Sequence, residues 1–218
     1  MDLVVQEMIP AVAEEGLADF IDVFCDRGFF TVEQTARILE AGAEYGLVPK
    51  IHANELDFSG GIQVGVKYGA RSVDHLEFTG EDELETLKNS TTMPAILPGA
   101  SLFLGLTYAP ARKMIEAGLP VALASDYNPG SSPSGNMELI MSLGIMQLKM
   151  LPEEVLNAVT LNGAYAMGLE ETHGTITTGK IANLIVTRPM PSFGFMAYSY
   201  GASQVDKVIL NGKIEYEE

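Results

Sequence analysis

Long apolar runs are the first thing this sequence lacks. No stretch approaches the roughly 18 consecutive apolar residues of a membrane-spanning helix, and no basic-then-apolar leader opens the chain, so a soluble, cytoplasmic protein is expected. Cysteine is nearly absent as well. Cys25 is the only one in 218 residues, which rules out an internal disulfide and a cysteine-based zinc site. Basic residues are scarce: 13 Lys plus Arg stand against 29 Asp plus Glu, for a formal net charge of −16. Such an acidic surface repels nucleic acid and anionic lipid, so neither is an expected partner. The G-x-S-x-G, P-loop and G-x-G-x-x-G motifs are missing too, which leaves the chemistries they carry without support. There is no tandem repeat, heptad array or low-complexity segment, and histidine is confined to His52, His75 and His173.

What is present is an alternation. With 47% apolar residues the chain can bury one large core or two small ones. Up to about Gly168, amphipathic stretches are followed by short apolar runs that end in polar residues. "LVVQEMIPAVAEEGL" precedes "ADFIDVFCD". "TVEQTARILEAGAEYGL", with Thr31 as its expected N-cap and Gly46 as its stop, precedes "VPKIHANE". "SGGIQVGVKYGA" precedes "RSVDHLEF", "GEDELETLKNS" precedes "TMPAILPGA", and "APARKMIEAGL" precedes "PVALASD". Five helix-then-strand units in a row predict a parallel sheet with helices packed outside it. A helical pair follows, "NMELIMSLGIMQLKM" and "PEEVLNAVTLNGAYAMGL", with Pro152 suited to a first helical turn. From about Glu170 the chain is rich in Thr, Ile and Val, and Asn211-Gly212 signals a hairpin. Residues 1–169 are thus expected to form the main α/β domain and residues 170–218 a small antiparallel β piece.

Polar residues gather at the C-terminal ends of the expected strands, where parallel α/β folds bind ligands. His52 ends "VPKIHANE", His75 ends "SVDHLE" and Asp126 closes "VALASD". Two imidazoles and a carboxylate suit a divalent metal, which would lower the pKa of a bound water. Each residue also has a plainer reading. A strand-end histidine can be a hydrogen-bonded structural residue, Asp126 before Asn-Pro-Gly can be a turn cap, and Glu55 can be a solvated loop acid. His173 reads as a structural turn residue, and Cys25 as a buried small side chain rather than a nucleophile. On spacing alone, a metal hydrolase and a purely structural arrangement both stay open.

The stretches "KIHANE", "VDHLE", "LPGASLFL", "YAPARKMIEAGLPVALASDYNPGSSPSGNM" and "GKIANLIV" resemble the imidazolonepropionase family of the amidohydrolase superfamily, over essentially the whole chain. The "DYNPGSSPS" loop is specific to that family, whereas strand-end His, His and Asp are shared across the superfamily. The resemblance implies an α/β fold: a TIM-like (β/α)8 barrel of the metal-dependent amidohydrolase type, here strands four to eight, plus part of a small β-sandwich. It implies hydrolysis of a ring C–N bond of 4-imidazolone-5-propanoate to N-formimidoyl-L-glutamate in histidine degradation. It also implies one zinc or iron ion and a homodimer when full length. By the same resemblance His52 and Asp126 are metal ligands, and His75, Asp126 and Glu55 are catalytic. Glu55, Asn128, Gly130 and Ser131 would contact the substrate.

Two departures accompany the resemblance. Asn54 stands where the family usually has Asp. The family's His-x-His metal pair is missing, as are its earlier substrate-binding Arg, Tyr and His, so the chain reads as the C-terminal half of such an enzyme. Alone it is expected to be a poor catalyst that holds metal weakly or not at all. Another amidohydrolase, either a cyclic amidase or a deaminase, and a non-catalytic binding or assembly protein on the same scaffold are the alternatives.

Overall fold

The expected alternation of helices and buried strands is realised, and each switch has a local cause. The structure, a computed structural model, describes residues 1–217. They fall into two units, one of Met1–Ile96 with Lys113–Pro120, the other of Leu97–Arg112 with the residues from Val121 onward.

In the first unit a π-helical turn, Val4–Met8, runs into α1 (Ile9–Glu14). Strands and helices then alternate: β1 (Phe20–Cys25), α2 (Val32–Glu44), β2 (Val48–Ala53), α3 (Gly61–Lys67), β3 (Ser72–His75), α4 (Glu81–Lys88) and β4 (Met93–Ile96). These four strands pair in chain order and all in parallel. Every residue of β3 and β4 is buried, which is why these segments lack the apolar–polar alternation of a strand with one wet face. Thr31 caps α2 as expected. Its hydroxyl accepts the Gln34 amide at 3.2 Å while the Gln34 side chain accepts the Thr31 amide at 3.0 Å, a reciprocal capping box. The face that α2 buries, Thr35, Ile38, Leu39, Ala41 and Gly42, follows the three-and-four spacing of one helix stripe. Glycine sets how near the helices approach the strands. A Cβ at Gly42 would lie 2.8 Å from Ile21, and one at Gly65 would lie 2.7 Å from Val73. A side chain there would make its neighbour move.

The second unit contains α5 (Pro98–Leu104), the start of α6 (Ala111–Glu116), and β5 (Ala122–Leu123). Three helices follow: α7 (Met137–Met146), α8 (Pro152–Val159) and α9 (Leu161–Ala166). After them come β6 (Leu184–Thr187), α10 (Gly194–Tyr198), β7 (Val205–Leu210) and β8 (Lys213–Glu217). The last three strands form an antiparallel sheet in the order β6-β7-β8. Asn211 and Gly212 turn β7 into β8 with φ of 51° and 77°, the two left-handed residues that a tight hairpin needs.

Four local expectations change. The run "TMPAILPGA" stops being a strand at Ile96, because Pro98 starts α5, where its fixed φ suits a first helical turn. The stretch "PEEVLNAVTLNGAYAMGL" is two helices, not one, because Thr160 leaves helical geometry at φ −116°, ψ −83°. Residues 175–183 make turns rather than a strand; Ile176 there is 90% exposed and so has no face to bury. Helix α10 lies within the tail expected to form a small antiparallel β piece. Among the described residues, no helix is long and apolar enough to cross a membrane.

Candidate active site

The first unit gathers three of the expected site residues at the ends of β2 and β3. The register pairs Phe24 with His52 and His52 with Asp74, while Asp22 pairs with Lys50. Residues two apart on a strand share a face, so Asp22, His52, Lys50 and Asp74 are neighbours on one side of the sheet. His52 Nδ1 lies 2.9 Å from Asp22 Oδ1. A carboxylate can only accept, so Nδ1 carries a proton, and in the neutral ring Nε2 would carry the lone pair. Ligand atoms of Asp22, His52 and Asp74 lie within 4.8 Å of one another. The excess negative charge is offset by Lys50, whose ammonium donates to Ser72 Oγ at 2.6 Å and sits 3.9 Å from Asp74 Oδ2. Ser72 in turn donates to Asp74 Oδ1 at 2.6 Å. Burial pushes the Asp74 carboxyl up, with Lys50 and Ser72 opposing.

His75 and Glu55 are buried side by side. His75 Nε2 lies 3.7 Å from Glu55 Oε2, and His75 Nδ1 is buried without a hydrogen-bond partner. Burial, reinforced by nearby His52, brings the His75 pKa down to about 3 against the opposing pull of Asp22. The ring is therefore neutral at physiological pH. His75 and Leu76 both have left-handed backbones, φ 83° and 73°. For a leucine this is a true outlier, the kind of local strain that collects at functional sites. Asn54, φ 54°, makes the same turn after β2, with its amide donating to Phe78 O at 2.9 Å.

The acid that fixes Glu55 was not singled out from the sequence. Asp26 is buried at the end of β1. Its Oδ2 accepts the amides of Glu55 and Leu56 at 2.7 and 2.9 Å, and its Oδ1 accepts the Arg27 amide at 2.7 Å. Ser59 adds a second tie, donating to Cys25 O at 2.8 Å. Asp22 and Asp74 were missed as well. In "FIDVF" and "SVDH" each acid stands on a strand, but Asp22 is exposed and only the strand register shows which residues either acid meets.

The second unit holds the other expected residues. Asp126 is half-buried with φ 52°, a conformation Asp tolerates better than most residues. Ser131 Oγ donates to Asp126 Oδ2 at 3.0 Å, and Asn128 Nδ2 donates to Ser131 Oγ at 2.7 Å and to Asp126 O at 2.8 Å. Asn128 Oδ1 accepts the amides of Gly130 and Ser131, both at 2.8 Å. One asparagine thus holds its own loop together. Ser132 Oγ donates to Ser125 O at 2.6 Å, and Gly99 of α5 packs so close that a Cβ there would lie 2.8 Å from that hydroxyl. His173 occupies a turn, its Nδ1 2.8 Å from Thr172 Oγ1 and its carbonyl accepting from Lys180. Cys25 is buried, with its thiol pKa raised chiefly by that burial, the setting of an inert cysteine.

The profile of the Amidohydrolase family matches residues 30–214. The imidazolonepropionase of Christiangramia forsetii is 54% identical over 98% of this chain and 52% of its own length. The chain spans about half the length of the curated relatives it matches. Among solved structures, a 5-methylcytosine deaminase from Klebsiella pneumoniae superposes with TM-score 0.81 at 19% identity, covering 98% of this chain and 59% of that one. An adenosine deaminase from Xanthomonas campestris, solved with bound zinc, gives 0.78 at 17% identity, covering 96% and 55%. These likenesses establish the fold class, the α/β barrel type of metal-dependent hydrolases accompanied by a small antiparallel sheet.

Proposed function

The chain belongs to the amidohydrolase family, and from that premise we propose that its residues form the metal- and substrate-binding part of an imidazolonepropionase. The reaction is hydrolysis of a ring C–N bond of 4-imidazolone-5-propanoate. The observation that carries this reading is the 54% identity to an imidazolonepropionase across nearly the whole chain, with Glu55 and His75 buried together at the strand ends.

His52 and Asp126 would hold the metal, zinc or iron. His52 suits that role: with Nδ1 donating to the Asp22 carboxylate, the neutral ring would present Nε2 to a metal, and such a carboxylate partner raises a histidine's basicity as a ligand. A bound metal of this kind lowers the pKa of water and polarises a carbonyl. The remaining work falls to the chain. Neutral His75, or Asp126, takes a proton from the attacking water. Glu55 orients the ring nitrogens by charge-assisted hydrogen bonds. The amides of Gly130 and Ser131, now donated to Asn128 Oδ1, would turn to the substrate's carboxylate, and Ser131 would steady Asp126.

The 218 residues contain no His-x-His pair, and a catalytic zinc ordinarily takes three protein ligands. The polypeptide alone is therefore expected to bind zinc weakly and turn over slowly. Co-expression with the part of the Christiangramia forsetii enzyme that this chain does not match should restore hydrolysis of the imidazolone. Guanine and dihydropyrimidine rings should remain untouched. A complemented protein that attacks either of those rings and spares the imidazolone would replace this reading with another amidohydrolase activity. No activity together with no tightly held metal would favour a binding role instead.

A further inference from the structure

We propose that Asp26 is a positioning residue for Glu55. It holds the start of the loop after β2 by its backbone and thereby sets where the Glu55 carboxylate stands against His75. The inference rests on the role given to Glu55 above.

Three observations converge on Asp26. Its side chain is almost wholly buried, with 4% exposure for the residue. A carboxylate removed from water must find replacement donors, and here all of those seen are backbone amides. Two of the three, Glu55 and Leu56, lie 29 and 30 residues away along the chain, so the contact staples the end of one strand to the loop leaving its neighbour. Charge-assisted bonds to a carboxylate are shorter and stronger than neutral ones, and the 2.7 Å contact to the Glu55 amide fits that pattern. The residue so held is the one whose side chain must be placed accurately. Glu55 Oε2 and His75 Nε2 are 3.7 Å apart and both buried, so a displacement of the Glu55 backbone reaches His75 directly. Ser59 fastens the far side of the same loop to Cys25, leaving Asp26 to govern the near side, where Glu55 begins.

Isotope-labelled protein examined by nuclear magnetic resonance tests this without requiring turnover. In Asp26→Asn, which keeps the shape and removes the charge, the Glu55 and Leu56 amides should exchange about tenfold faster or more. The imidazole signals of His75 should move. In a Glu55→Gln background the same change should leave the His75 signals where Glu55→Gln alone puts them. Unmoved His75 signals or native exchange at both amides would overturn the proposal. Should Asp26→Asn not fold, Asp26→Glu keeps the charge, displaces the oxygens by one methylene, and should produce the same shifts.

In the complemented enzyme, Asp26→Asn should lower kcat about tenfold or more with little change in KM. That loss should vanish when Glu55 is already Gln. An equal loss in both backgrounds would show that Asp26 acts on stability alone and would overturn the proposal. If the amide and His75 responses appear but the imidazolone is not hydrolysed, the substrate assignment fails and the positioning role stands. If hydrolysis occurs and the amides do not respond, the reverse holds.

Discussion

The two strand-end loops that carry the candidate chemistry are held in opposite ways. The loop after β2 is fastened largely to groups outside it: the Glu55 and Leu56 amides to buried Asp26, Ser59 to Cys25 O, and Asn54 to Phe78 O. The loop after Asp126 is fastened from within, through the side chain of Asn128 and its bonds to residues 126, 130 and 131. The first inherits its shape from the packed core and should be no more mobile than that core. The second owes its near side to one part-exposed asparagine, while buried Ser132 ties its far side to Ser125 O.

The sharpest way to break the contrast is Asp126→Ala in the complemented enzyme. If Asp126 is a ligand as proposed, it should lower kcat/KM by about three orders of magnitude and reduce bound metal. Steady-state rates and elemental analysis check both, and a native metal content would remove Asp126 from the ligand set.

A matched pair of substitutions comes next. Asn54→Ala, at a fully buried residue, removes the donor to the Phe78 carbonyl and should cost about 1–3 kcal/mol, read as a clear drop in the thermal midpoint. Asn128→Ala lies on the surface turn. It should move the midpoint by no more than about 2–4 °C, while raising KM about tenfold or more. If the two variants exchange these signatures, the distinction between the loops is wrong.

The effect of pH is smaller and belongs to the core-held loop. Burial lowers the His75 pKa from 6.5 to about 3, so the unfolded chain takes up a proton there before the folded one. The stability contributed by neutral His75 is complete above about pH 6.5 and declines as pH falls toward 3. Urea unfolding at a series of pH values should show that slope, and His75→Asn should flatten it. The smallest effect is expected of Arg27→Ala. The Arg27–Asp57 pair is 3.1 Å long but exposed, and such pairs contribute no more than about 1 kcal/mol, so the midpoint should hardly change.

Much of this arrangement could be read before the structure. Thr31, the alternating helices and strands, and the Asn211-Gly212 hairpin are local signals, and they formed as local rules require. His52, His75 and Asp126 were legible because each closes an apolar run. The acids that organise them were not. Asp22, Asp26 and Asp74 act across strand pairs, and their partners lie about 20 to 30 residues away in the chain. Their meaning depends on strand register, which one sequence does not state. Helix α5 was missed for a related reason: "LPGASLFL" continues an apolar strand without a break, and only Pro98 marks the change.

The glycines on the helices behind this sheet have a consequence for how the protein could change. A Cβ at Gly61 would fall 2.8 Å from Ala53, as tight as the fits at Gly42 and Gly65. The helix and strand layers are therefore mated like machined plates with no gasket between them. In a random library, the strand-end residues could be exchanged to explore new ring substrates. A methyl group added at positions 42, 61 or 65 would force a neighbour on the facing strand to shift. The frame's stiffness makes the catalytic edge free to vary.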